Sequence, residues 1–86
     1  MLTRPPIRHY YDVFDIKQYQ WESMKDYLNR FGVQVVRLKH TDEAMMVHAF
    51  VKGMLPRPFS ESLLRFYPKT FTEMKHRALV HIAADD

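Results

Sequence analysis

The 86-residue sequence contains no cysteine. That absence excludes a disulfide framework, a zinc knuckle or other thiolate metal site, and a cysteine nucleophile. Nor is there an apolar run near the roughly 18 to 20 residues that a membrane-spanning helix needs, and the stretch from Met1 to Tyr11 has no apolar core of the kind a secretion signal carries. A cytoplasmic or nuclear protein with no membrane partner is the expectation. Glycine is scarce, with two residues, and no internal repeat or low-complexity tract occurs. A Gly-rich phosphate loop, a GxSxG elbow and a DTG or DSG protease aspartate are all missing. The five histidines, His9, His40, His48, His76 and His81, form no HExxH motif and no pair four residues apart, which leaves no metal site to argue from. The expectation is therefore a protein that is not an enzyme, with no cofactor and no small-molecule substrate.

What the chain does have is apolar side chains. Hydrophobic residues make up 47%, with six phenylalanines, five tyrosines, one tryptophan and six methionines, so a packed core is expected rather than a disordered tail. A chain this short buries only about 60 to 65% of the surface its unfolded form exposes. Two readings of the abundant aromatics stay open: all of them are core, or some are shared with a partner.

The net charge of +3 hides an asymmetry. Between positions 52 and 77, Lys52, Arg57, Arg65, Lys69, Lys75 and Arg77 are set against Glu61 and Glu73 only. These six are candidate nucleic-acid contacts, with Phe66 and Tyr67 as stacking surfaces. The other reading is a solvated surface, because the basic residues are dispersed and the chain closes on Asp85 and Asp86.

Prolines at 5, 6, 56, 58 and 68 supply most of the punctuation. They divide the chain into an irregular segment, residues 1–13, and one domain, residues 14–86, with four helical stretches. The first is predicted from Glu22 to Leu38, where Met24, Tyr27, Leu28, Phe31, Val35 and Leu38 recur at steps of three and four. Thr41 and Asp42 are N-cap candidates for the second, which turns Met45, Met46, Ala49 and Phe50 inward and ends at Gly53 in a left-handed stop. The third spans about Phe59 to Phe66 with Phe59, Leu63 and Phe66 inward, limited by Pro68. The fourth follows a capping box, Thr70-Phe71-Thr72-Glu73, and places Phe71, Met74, Ala78 and Ile82 on one face. Ahead of them, Val13, Phe14 and Ile16 form either an extended or a helical piece over the core, and Met1 to Pro6 are expected to fray. The fold class is all-α, a compact bundle of four to five helices behind an irregular N-terminal segment.

The most informative stretch runs from Ile16 to Phe31. It reads as an extended lead-in, a turn, then a helix. Gln18 precedes that helix, Glu22 falls in its first turn, and Arg30 follows eight residues later on the same side. A glutamine bonded to the turn and a glutamate bridging it to an arginine lock such a corner, because partly buried polar groups need partners.

This register resembles the major homology region of retroviral and retrotransposon capsid proteins, I-(K/R)-Q-G-x-x-E-x-x-x-x-(Y/F)-x-x-R-(F/L). Ile16, Gln18, Glu22, Tyr27, Arg30 and Phe31 match it, and Tyr19 stands where the pattern has glycine. Three further stretches, in the same order, resemble the Gag domain of gypsy-type retrotransposons, especially those of plants. Ala49-Phe50-Val51-Lys52-Gly53-Met54 with Pro56 and Phe59 is similar to A-F-x-x-G-L-x-P-x-x-F; Ser62-Leu63 and Pro68-Lys69-Thr70 are similar to S-L and P-x-T; Met74, Arg77-Ala78 and Ile82 are similar to the closing helix.

The resemblance covers Phe14 to the end and implies the C-terminal capsid lobe, a helical unit that helps Gag molecules pack into a shell around RNA. It implies association rather than catalysis: the partner is a second copy, in weak dimer or lattice contacts, with RNA a partner in the context of a full Gag. Gln18, Glu22 and Arg30 stabilise such a lobe internally, while exposed faces of the second and later helices meet neighbours. The helices of the N-terminal lobe and the zinc knuckle fall outside the residues that carry the resemblance, which therefore implies a fragment of a Gag as the expectation. Two other readings stand beside this one: a helical domain co-opted to bind a different protein, and a basic nucleic-acid-binding module.

Overall fold

The computed structural model describes residues 13–39 and 42–85. The expectations for Met1 to Pro6, His9, His40, Thr41 and Asp86 lie outside them. The chain is all-α. A short 3-10 turn, Val13–Asp15, is followed by α1 (Met24–Arg37), α2 (Glu43–Gly53), α3 (Pro58–Arg65) and α4 (Phe71–Asp85), and no strand occurs among the described residues. Val13, at the end of the segment read as irregular, is buried and belongs with the domain that follows.

Helix α1 starts two residues later than its apolar spacing predicts. Ser23 is the N-cap, and its hydroxyl accepts the Asp26 N–H at 3.1 Å, which satisfies one of the orphan donors of the first turn. Glu22 therefore lies before the helix, not in its first turn. At the other end Leu38 is the C-cap and Lys39 takes φ 54°, a left-handed residue of the kind that commonly ends helices.

Helix α2 is capped by Asp42, whose carboxylate accepts the Met45 N–H at 3.1 Å. Its buried set is wider than the expected stripe: Met46, Val47, Ala49, Phe50 and Val51 are buried, while Met45 is exposed. The cause is its position. The 3-10 turn, α3 and α4 all pack against α2, so several of its flanks are covered. Gly53 ends the helix, but not by the left-handed stop expected of it, since no glycine has positive φ.

Helix α3 opens on Pro58 at its first position, where the missing N–H costs nothing. It stops at Arg65, with Phe66 leaving helical geometry at φ −120° and ψ 76°. Pro68 disfavours helical geometry at Tyr67, and the chain turns before Phe66 reaches the core. Phe66 is consequently 66% exposed rather than inward, whereas Pro68 is buried.

The Thr70 hydroxyl accepts the Glu73 N–H at 3.0 Å, as the capping box requires, but the Glu73 carboxylate reaches back to the Lys69 N–H at 3.2 Å rather than to Thr70. Phe71 donates its N–H to the Glu43 carboxylate at 2.8 Å, which ties the start of α4 to the start of α2.

The core centres on three rings. Phe50 stacks on Tyr27 at 4.7 Å and meets Phe31 edge-on at 5.1 Å. Ile16, Leu63, Met74 and Ala78 are fully buried in the same cluster, with Val13 and Val47. Burial of each large apolar side chain contributes about 1.5 to 3 kcal/mol relative to exposure.

Candidate functional site

Between the 3-10 turn and α1, residues 16–19 have no regular secondary structure and pass over the C-terminal end of α2. The Gln18 N–H donates to Gly53 O at 2.8 Å. This close approach explains the glycine: a Cβ on Gly53 would overlap both the Ile16 carbonyl oxygen and the Tyr27 hydroxyl. The two backbones meet there because nothing projects between them.

The chain then makes a tight turn, closed by the Glu22 N–H donating to Tyr19 O at 3.0 Å. Gln18 fastens this turn from inside. Its Nε2 donates to Glu22 O at 2.9 Å, and its Oε1 accepts the Leu55 N–H at 2.9 Å, so one buried amide joins the turn to the segment after α2. The Glu22 carboxylate accepts the Tyr19 N–H at 3.1 Å through Oε1 and two bonds from Arg30, Nε to Oε2 at 2.9 Å and Nη2 to Oε1 at 2.8 Å. Arg30 Nη2 also donates to the Lys17 carbonyl. The three polar residues singled out by spacing meet at one corner.

The Arg30 guanidinium bonded to Glu22 holds that carboxyl below its ordinary value, against the opposing effect of burial, and the Tyr19 N–H adds to the lowering. Tyr27 is fully buried, and its hydroxyl donates to Phe50 O at 3.0 Å. Burial raises its pKa well above the usual phenol range. Ile16 and Phe31, the apolar members of the motif, are both fully buried beneath the corner.

Tyr19 needs no special backbone, because Lys39 is the residue with positive φ among the described non-glycines. Its ring is put to use instead. The Arg30 guanidinium carbon lies 4.4 Å from the Tyr19 ring centroid, and Trp21 stacks on Tyr19 at 5.3 Å with 12° between planes. Sequence reasoning missed this stack and the packing role of Gly53. The alternation Tyr19-Gln20-Trp21 across a turn was the available signal for the first; none pointed to the second.

Three of the six basic candidates border different clefts. Lys52 borders a cleft between α2 and α3, Lys75 a cleft between α1 and α4, and Arg57 a third cleft beside Gln18 and Phe59. Arg65 and Lys69 are exposed. Arg77 is used within the fold: its guanidinium donates to the Phe66 carbonyl and, at 3.3 Å, to Ser62 O, which satisfies carbonyls at the end of α3.

Among the described residues no group of three or more His, Asp or Glu side chains is disposed to hold a metal ion, and no helix is long and apolar enough to cross a membrane. In comparisons with protein-family models, curated proteins and solved structures, nothing matched this chain.

Proposed function

We propose that the chain is a structural self-association module of the Gag capsid-lobe kind, whose work is assembly rather than catalysis. The observation that carries the reading is the corner: Ile16, Gln18, Glu22, Tyr27, Arg30 and Phe31, the residues of the resemblance, converge in space. The polar three form one hydrogen-bonded unit, and the apolar three lie in the core beneath it. An ordinary amphipathic helix has no need of a glutamine twelve residues before its arginine in one network. Apolar side chains left outside the core, among them Met45 on α2, Leu64 on α3 and Leu79 on α4, supply surface for contacts between copies.

Weak pairwise contacts suffice for such a role, because a lattice multiplies them. Sedimentation velocity at rising protein concentration is the test. The expected result is a shift to dimer or larger species at concentrations between about 10 μM and 1 mM. A strict monomer over the whole range overturns assembly as the function of this chain. Lys52, Arg57 and Lys75 border three different clefts and Arg77 is engaged inside the fold, which weighs against one basic surface made by all six candidates together.

A further inference from the structure

We infer that the turn Tyr19–Glu22 carries a stacking site for an unpaired base of single-stranded nucleic acid, with Trp21 as the platform and Arg57 as the phosphate contact. The site is separate from the surfaces invoked for self-association and does not rest on that reading.

Trp21 is 83% exposed, and its ring is stacked on that of Tyr19. One face of the indole lies on Tyr19, and the Arg30 guanidinium lies over the Tyr19 ring. That guanidinium is held in turn by two bonds to Glu22. The column Arg30, Tyr19, Trp21 is thus anchored at its base, and a ring added to its free end loses little freedom in a platform that is already ordered.

The surroundings choose the occupant. A tryptophan that anchors a protein partner sits within a rim of apolar contacts that exclude water. At Trp21 the ring contact is the Tyr19 phenol, and a guanidinium is fixed at the neighbouring residue. Arg57 is exposed, and its Nη2 donates to the carbonyl of Gln20, the residue next to Trp21, at 3.1 Å. Lys17 and Lys25 are exposed on either side of the turn in sequence; of the nearby acids, Glu22 is paired with Arg30, and Asp15 and Asp26 are exposed. A flat π surface with two or three cations beside it fits a base stacked on the indole and its phosphates on the cations.

Trp21 is the single tryptophan of the chain, so its fluorescence reports on this site alone. The experiment titrates the 86-residue chain with an oligouridylate of about ten nucleotides at low salt, following tryptophan quenching and the anisotropy of the labelled oligonucleotide. Expected are quenching on binding and an affinity that falls with salt at a shallow slope, of about two phosphate contacts. Trp21→Ala is expected to weaken binding about tenfold or more without changing the melting temperature, and Trp21→Phe to retain most of the affinity. Arg57→Gln should reduce the magnitude of the salt slope by about 0.7. No binding at low salt, or binding that Trp21→Ala leaves intact, overturns the proposal. So does loss of sedimenting dimer in Trp21→Ala without any response to oligouridylate, which assigns the tryptophan to a second copy and leaves self-association standing.

Discussion

The Glu22 carboxylate and the Arg30 guanidinium face each other through two bonds, 2.9 and 2.8 Å long, across a turn and two turns of helix. The carboxylate side chain is 8% exposed and its partner 26%, so the pair is neither a free surface ion pair nor a dry interior one. Removing Arg30 leaves a nearly buried carboxylate with the Tyr19 N–H as its remaining bond to this turn. Arg30→Ala is therefore expected to destabilise the fold by about 2 kcal/mol. Gln18→Ala, which frees the Leu55 N–H and Glu22 O, is expected to cost about 1 to 2 kcal/mol. The two residues act on the same turn, so the double variant should depart from the sum by more than about 0.5 kcal/mol. Urea denaturation of the four proteins measures it, and strict additivity would show that the corner is not one unit.

The same pair sets an acid limit. Because Arg30 lowers the folded pKa of Glu22 below its ordinary value of 4.5, the ionised form is favoured in the native state. Stability from this group is fully present above pH 4.5 and is lost as the pH falls through the lowered folded value. The expected observation is a midpoint of urea denaturation that declines below that pH. In Glu22→Gln, which cannot ionise, the decline should be smaller. An equal decline in both proteins assigns the acid sensitivity to other carboxylates.

The corner was legible because its members are near in sequence and its register is unusual, but its geometry was only half legible. Spacing placed Gln18, Glu22 and Arg30 on one side and missed that Ser23, not Glu22, begins the helix. Ser23 and Asp26 carry the capping signal three residues apart, whereas the apolar period that extended the helix cannot tell a capping turn from a helical one. Gly53 was read as a left-handed stop because glycine after a helix commonly is one. Its real constraint, the approach of Ile16 and Tyr27, joins residues 37 and 26 positions apart and leaves no trace in local pattern. Phe66 was read inward by helical spacing, which continued α3 one residue past the point where it stops ahead of Pro68. The buried width of α2 depends on which elements surround it, and periodicity along one helix does not carry that information.

Lys39 supplies a test of the α1 terminus. Its φ of 54° places a side chain in the left-handed region, where Cβ crowds the following carbonyl at a cost of roughly 1 to 2 kcal/mol. Glycine pays no such steric penalty but has a more flexible unfolded state. Lys39→Gly is expected to stabilise the protein by about 0.5 kcal/mol, read as a rise in melting temperature. A fall would mean that the lysine side chain contributes more at this position than the strain removes.

The two glycines should respond to alanine in opposite directions. At Gly32, within α1, an added Cβ meets no atom within 4 Å, so alanine adds no clash and restricts only the unfolded chain. Gly32→Ala is expected to stabilise by about 0.5 to 1 kcal/mol. At Gly53 the methyl would overlap the Ile16 carbonyl and the Tyr27 hydroxyl. Neither can yield cheaply: the first is backbone whose neighbour Gln18 is bonded to Gly53 itself, and the second is a fully buried phenol fixed to Phe50 O. Relief of the clash must separate α2 from residues 16–18 or from α1, which breaks the support under the polar corner. Gly53→Ala is expected to cost about 2 to 3 kcal/mol. Thermal melts of the two single variants against the parent measure both signs together. If Gly53→Ala proves as stable as the parent, the close packing of the lead-in on α2 is not what holds the corner in place.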